Sequence, residues 1–181
     1  MPLMRLTTLD GDAVLPLADA KRHLRMEEDD SFEDAEVKAY RDAAVAQVEW
    51  ASGIILAPAE FRWTMTRLQG PVSLPVGPVT EIVEVVYHDG EGSEVSYADA
   101  RLVDGAVWPG VGASWPHARG YAAIHFAAGH LSPDDAPNLI AAVRLLLGHF
   151  YLNREASTEK AMSDLPFGVQ TLIGAYQPML G

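Results

Sequence analysis

Three histidines, His125, His130 and His149, are of the type that holds transition metals. A metal site needs ligands that one element presents together, such as a His-x-x-x-His pair on a helix or a carboxylate at ligand spacing. Neither pattern occurs around them: His125 stands in a strand-like run, His130 in a loop and His149 in a helical run. Ordinary hydrogen-bonded histidines are the better reading. Ser114-Trp115-Pro116-His117 sets a hydroxyl near an imidazole, the raw material of acyl transfer. It lacks the strand–turn–helix setting that exposes a nucleophile and any third group to orient the base. Trp108 and Trp115 flank a Gly/Pro loop, where aromatic rings more often pack over the open end of a β unit than receive a ligand. The chain has no cysteine, which removes thiolate ligands, disulfides and a cysteine nucleophile together, and fits a reducing compartment. No catalytic, cofactor-binding or metal-binding residue is assigned.

A chain of 181 residues with 49% hydrophobic content can bury a full core in one domain. A mean hydropathy of +0.03 reads as soluble and globular. Met1–Asp12 lacks a basic segment followed by an apolar one, so no secretory signal is expected. The longest apolar stretch, Leu139–Leu152, is interrupted by Arg144 and His149 and is too short to span a bilayer. A net charge of −12 argues against sequence-independent nucleic-acid binding, which needs clustered Lys and Arg to displace counterions. Two readings of that acidity stay open: a surface charge that only maintains solubility, and an acidic wall past which a phosphate backbone slides without sticking.

Residues 1–14 show no periodicity and read as a flexible arm. Leu17, Ala20 and Leu24 share one face of a first helix over Leu17–Arg25, behind Pro16. Glu27-Glu28-Asp29-Asp30 breaks it as a solvated turn. Ser31 is the expected cap of a second helix through Ser52, with Asp34 completing an imperfect capping box. Its stripe is Val37, Tyr40, Ala44, Val48 and Ala51, and Gly53 is the expected left-handed stop. The period then changes to two. Phe61, Trp63 and Met65 alternate with Arg62, Thr64 and Thr66. Val72–Val76 reads as an edge strand because of Pro75, and Val79–His88, Glu94–Tyr97 and Tyr121–Phe126 as further strands. Asp104-Gly105 predicts a two-residue hairpin between Arg101–Val103 and Ala106–Trp108. A third helix over 138–154 carries Leu139, Ile140, Val143, Leu146, Leu147, Phe150 and Tyr151. Gly148 inside it costs about 1 kcal/mol against alanine, which a close helix–helix approach would explain. After polar residues Glu155–Asp164, Val169–Tyr176 form a short helix.

The expected fold class is therefore α+β but predominantly helical: an amphipathic helix bundle with an inserted small antiparallel β unit at 60–128. The expected organisation is an arm at 1–14, a single domain at 15–154, and a linker with a terminal segment at 155–181.

Several stretches in this order resemble the head–tail connector proteins that complete the heads of long-tailed phages and prophages. They are Leu17–Arg25 before an acidic patch, Glu49-Trp50-Ala51-Ser52-Gly53 followed by Pro58 and Phe61–Leu68, and Leu74-Pro75-Val76-Gly77-Pro78-Val79 before Val83–Tyr87. Most specific is Leu145–Glu155, then a polar spacer, then Leu165-Pro166-Phe167-Gly168-Val169. The resemblance covers about Leu15 to Tyr176. Pro16 departs from it where relatives carry Ser or Thr, and the first fourteen residues match nothing specific.

The resemblance implies a structural adaptor with no enzyme activity and no cofactor, located in the virion at the head–tail interface and in the host cytoplasm during assembly. Its implied partners are copies of itself in a twelve-fold ring, the portal protein above and the next tail-proximal stopper protein below. DNA would pass through the channel without specific binding, and no membrane is involved. The terminal segment would dock on the portal through Leu165, Phe167, Leu172, Ile173, Tyr176 and Met179, apolar residues beyond a polar spacer that could equally fold back on the chain's own core. The alternatives are a tail-side stopper or completion ring, and a small ligand-binding or enzymatic domain using Trp115, His117 and His125.

Overall fold

The computed structural model describes residues 2–129, 135–153, 166–174 and 176. Eight strands and five helices form among them. They fall into two units, Met1–Thr8 with Pro58–Gly129 and Leu9–Ala57 with His130–Gly181. This overturns the expected predominantly helical bundle with a small β insert. The β region has two sheets and a core of its own, because short strands read singly as minor elements sum to a complete unit once paired.

The first unit holds β1 (Leu3–Arg5), β2 (Ala59–Met65), β3 (Val72–Ser73), β4 (Val79–His88), β5 (Glu94–Ser96), β6 (Arg101–Val103), β7 (Ala106–Trp108) and β8 (Ala122–Ala128). One sheet runs β1-β2-β8-β4-β5 and the other β3-β7-β6, with every pairing antiparallel. β8 is central. Its alanines, poor strand formers in isolation, suit a position paired on both edges where Ala122, Ala123, Ile124, Phe126 and Ala128 are all buried. Phe61 faces Phe126 across β2 and β8, their rings stacked at 5.6 Å. β4 gains two register shifts along β8, at Val79/Glu81 and Ile82/Glu84, which leave Val83 half exposed. Asp104 and Gly105 both take positive φ, 50° and 75°, and close the predicted β6–β7 hairpin. β3 ends before Pro75 and lies at a sheet edge.

Residues 1–14 are not a flexible arm. Leu3 pairs with Trp63 and Arg5 with Phe61, and Arg5 places its guanidinium 5.5 Å from the Phe61 ring centre. A three-residue edge strand depends on its partner, so no local period announces it.

The second unit holds α1 (Gly11–Val14), α2 (Leu17–Leu24), α3 (Asp34–Ser52), α4 (Pro137–Leu152) and α5 (Phe167–Gly174). Its core joins Val14, Leu15 and Ala20 to Val37, Ala44, Val45 and Val48, then to Leu139, Val143, Leu146 and Leu147, and to Val169 and Ile173. α3 begins at Asp34, not Ser31. Ser31 offers only its carbonyl to the Asp34 amide, and the N-cap position is Glu33, whose side chain instead accepts from the Tyr151 hydroxyl at 2.6 Å. Gly53 (φ 71°) closes α3 as expected.

Charged side chains fasten this unit from within. Glu49, 4% exposed, accepts from the Leu56 and Ala57 amides at 2.7 and 3.2 Å and so satisfies the turn leaving α3. Arg41, also 4% exposed, ties α3 to the N-terminal turn through Asp12 at 2.6 Å and the Leu15 carbonyl at 3.3 Å. The same Asp12 oxygen accepts from the Leu17 amide at 3.1 Å, the α2 cap that Pro16 has no side chain to make. The Arg41 hydrogen bond holds the Asp12 carboxyl below its ordinary range. A depressed carboxylate stabilises the fold above its unfolded pKa and loses that effect as pH falls through the folded one. Asp12→Asn is therefore expected to lower the unfolding free energy from urea titration at pH 7, by at most about 1 kcal/mol for a solvent-exposed carboxylate. The two free energies should converge below about pH 4.

Gly148 packs against α2, but a Cβ there would lie 3.7 Å from His23 Nε2, an ordinary contact. Close approach within the chain therefore does not require glycine. Gly148→Ala is expected to stabilise the isolated protein by about 0.5–1 kcal/mol, measured by thermal or urea unfolding.

Candidate docking face on the helical unit

α5 starts where Pro166 ends the incoming chain. The Pro166 carbonyl accepts from the Val169 and Gln170 amides at 2.8 and 3.1 Å, so Pro166-Phe167-Gly168 is the entry turn of the helix. Thr171 bonds back to the Phe167 carbonyl at 3.0 Å. The face so built divides the six expected docking residues. Ile173 is 1% exposed and belongs to the chain's own core, while Leu172 and Tyr176 pack partly buried against it. Phe167 is 85% exposed. Leu165 and Met179 lie outside the described residues. The geometry thus corrects the expectation for Ile173, whose side chain is already enclosed.

Two residues join Phe167 that the sequence reading did not single out. A Cβ at Gly168 would lie 3.7 Å from Leu145 Cδ1, which sets the start of α5 against α4 beside an exposed Leu145. Leu152, 80% exposed, follows seven residues later on the same stripe of α4. The available signal was the triplet Leu145-Leu146-Leu147: adjacent helical residues point about 100° apart, and only Leu146 and Leu147 turn into the core. Phe167, Leu145 and Leu152 are exposed apolar side chains on α5 and α4 that a partner could cover.

The other chemical candidates do not converge. Trp115 packs against Tyr97 with the rings tilted, 5.3 Å apart, and donates to the Gly70 carbonyl at 2.7 Å, a packing role, while Ser114 and His117 are exposed on the same loop. Trp108 is 39% exposed on β7. His125 lies on β8 between Arg62 and Glu84, its Nε2 enclosed without a hydrogen-bond partner among the described residues. Beside it Glu94 accepts from Tyr121 at 2.7 Å and Arg62 at 3.0 Å, bonds that lower the Glu94 pKa and raise that of Tyr121. His149 sits near the end of α4 with Asn153 on its carbonyl, and His130 is outside the described residues. Among the described residues no three His, Asp or Glu side chains stand where they could share a metal ion. No helix among them is long and apolar enough to cross a membrane.

Solved structures show what the chain is similar to. One chain from the virion of a native gene transfer agent particle is 31% identical, with a TM-score of 0.78 over 98% of this chain and 95% of that one. A chain from the neck of an empty gene transfer agent particle, computed with C6 symmetry, is 30% identical with the same TM-score and coverage. This chain belongs to the phage-like head–tail neck proteins. A further neck chain, from the native particle computed with C12 symmetry, matches this neck protein at 29% identity and a TM-score of 0.76. No protein-family model and no curated protein matches it. The match runs through both units, so the β region expected to be an insert is part of the neck-protein fold itself.

Proposed function

We propose that this neck protein is the head–tail connector of a phage-like particle. It assembles as a ring of twelve copies beneath the portal, extends the DNA channel and forms the platform for the next tail-proximal protein. The observation that carries the reading is the likeness along 98% of the chain to neck chains, one of them in a C12-symmetric neck. Its work is structural. A closed ring needs two different, complementary faces on each subunit, and net charge −12 suits a channel wall that does not hold DNA.

Docking on the portal runs through Phe167 at the start of α5, with Leu145 and Leu152 on α4 beside it. Burying one such side chain contributes about 1.5–3 kcal/mol before ordering costs. Twelve copies acting together convert a weak single contact into a stable one. Residues 177–181, with Met179, and Leu165 extend that contact in the proposal. The test is co-sedimentation of the full chain with the portal ring encoded beside it. Binding at micromolar concentration with ring-shaped density under the portal is expected. Its absence well above micromolar concentration would remove the adaptor assignment.

A further inference from the structure

The helical unit carries a cationic depression and an anionic loop whose side chains are not joined to each other among the described residues. α2 supplies Asp19, Arg22 and His23 to the depression, and α4 supplies Arg144. Asp19 is engaged by Arg22 at 2.5 Å, which leaves Arg144 and His23 as exposed donors with no ion pair among the described residues. In a chain with 13 Lys and Arg against 25 Asp and Glu, two arginines against the one carboxylate of Asp19 around one depression are a local reversal of sign.

The anionic partner is Glu27-Glu28-Asp29-Asp30. Its side chains are solvated, as expected of a turn, and its backbone is held in place. The buried Lys21 ammonium binds the Glu28 and Asp30 carbonyls at 2.8 and 2.6 Å and pairs with Asp34 at 2.8 Å. Those bonds fix the loop backbone while the four acidic side chains stay exposed. Apart from Asp30, which accepts from the Phe32 amide at 3.0 Å, none of them has a bonded partner among the described residues. Phe32 next to them is 92% exposed. Holding four like charges together on a fixed backbone costs free energy in the monomer, and a cationic surface removes that cost.

We infer that the loop of one subunit, Glu27–Asp30 with Phe32, seats on the Arg22–His23–Arg144 depression of the next copy of this chain. This is the lateral contact of the ring, and it rests on the ring reading above. Carboxylates meet guanidinium groups there, and Leu145 stays free on the portal-facing side. The contact is heterologous, because loop and depression are different surfaces, and such contacts close into rings.

The absence of cysteine gives a direct test. The full chain with Glu28→Cys and Arg144→Cys is assembled with the portal ring and oxidised. A reducible ladder of covalent oligomers is expected, and neither single cysteine variant should give it. Arg144→Glu should lower ring yield by about tenfold or more at ~0.15 M salt. Combining it with Glu28→Lys and Asp29→Lys in one chain should restore the yield. Rings seen by electron microscopy without a ladder would overturn this contact and leave the ring standing. No rings from the unmodified chain would remove both. Retention of duplex DNA by the unmodified chain that Arg144→Glu abolishes, with ring yield unchanged, would reassign the depression to phosphate.

Discussion

Replacing Lys21 with alanine is expected to remove about 3 kcal/mol of stability, the scale of breaking a buried charge pair from one side. Lys21 is 3% exposed; it donates to two backbone carbonyls and forms an ion pair with the Asp34 carboxylate. Without the ammonium, Asp34 keeps its charge at a largely enclosed position, and the loop between α2 and α3 loses the centre about which it folds. Lys21→Met keeps most of the aliphatic stem but none of the donors. Most of the loss should therefore persist in it, which separates hydrogen bonding from packing. Lys21→Arg brings a planar fork where three contacts radiate from a point, and it should recover only part. Urea midpoints measure the stability, and amide exchange over residues 26–33 measures the loop. A Lys21→Met protein within about 0.5 kcal/mol of the parent would show that the clamp contributes little.

Lys21 also marks the boundary of what the sequence made legible. Apolar periodicity located α3 and α4, turn chemistry located Gly53 and the Asp104-Gly105 hairpin, and alternation located β2 and β4. Each of those signals is local. The buried Lys21, Arg41 and Glu49 carry no such signal, because a charged residue on an amphipathic helix reads as solvent-facing until a distant acceptor is known. Glu49 illustrates the point: its partners are the amides of Leu56 and Ala57, beyond the helix end. β1 failed for the same reason, since its order comes from β2 fifty and more positions away. The misjudged balance of helix and strand has a related cause. Strands of two or three residues, such as β3, β5, β6 and β7, look negligible singly and matter only through pairing. At the candidate site, the terminal apolar residues were visible as a group, but their division between core and surface follows from the phase of α5 against α4.

That division yields the second large effect. Phe167→Asp is expected to abolish co-sedimentation with the portal while changing the stability of the free protein by less than about 0.5 kcal/mol, as an 85% exposed side chain has little to lose on substitution. Ile173→Ala should behave in the opposite way. Its side chain is 1% exposed within the core of α3, α4 and α5, so truncation removes buried methyl groups and leaves a cavity, costing about 2–5 kcal/mol. Any portal binding it loses should return when the temperature is lowered enough to keep the protein folded. The pair matters because deleting 165–181 outright removes Val169 and Ile173 together with Phe167. Loss of binding by the truncated chain therefore cannot distinguish a missing anchor from a damaged fold. Measured side by side, unfolding midpoint and portal retention should separate along different axes: Phe167 moves retention alone, and Ile173 moves the midpoint first. If Phe167→Asp binds the portal as well as the parent chain does, α5 is a core helix only, and the docking surface must be sought elsewhere on the subunit.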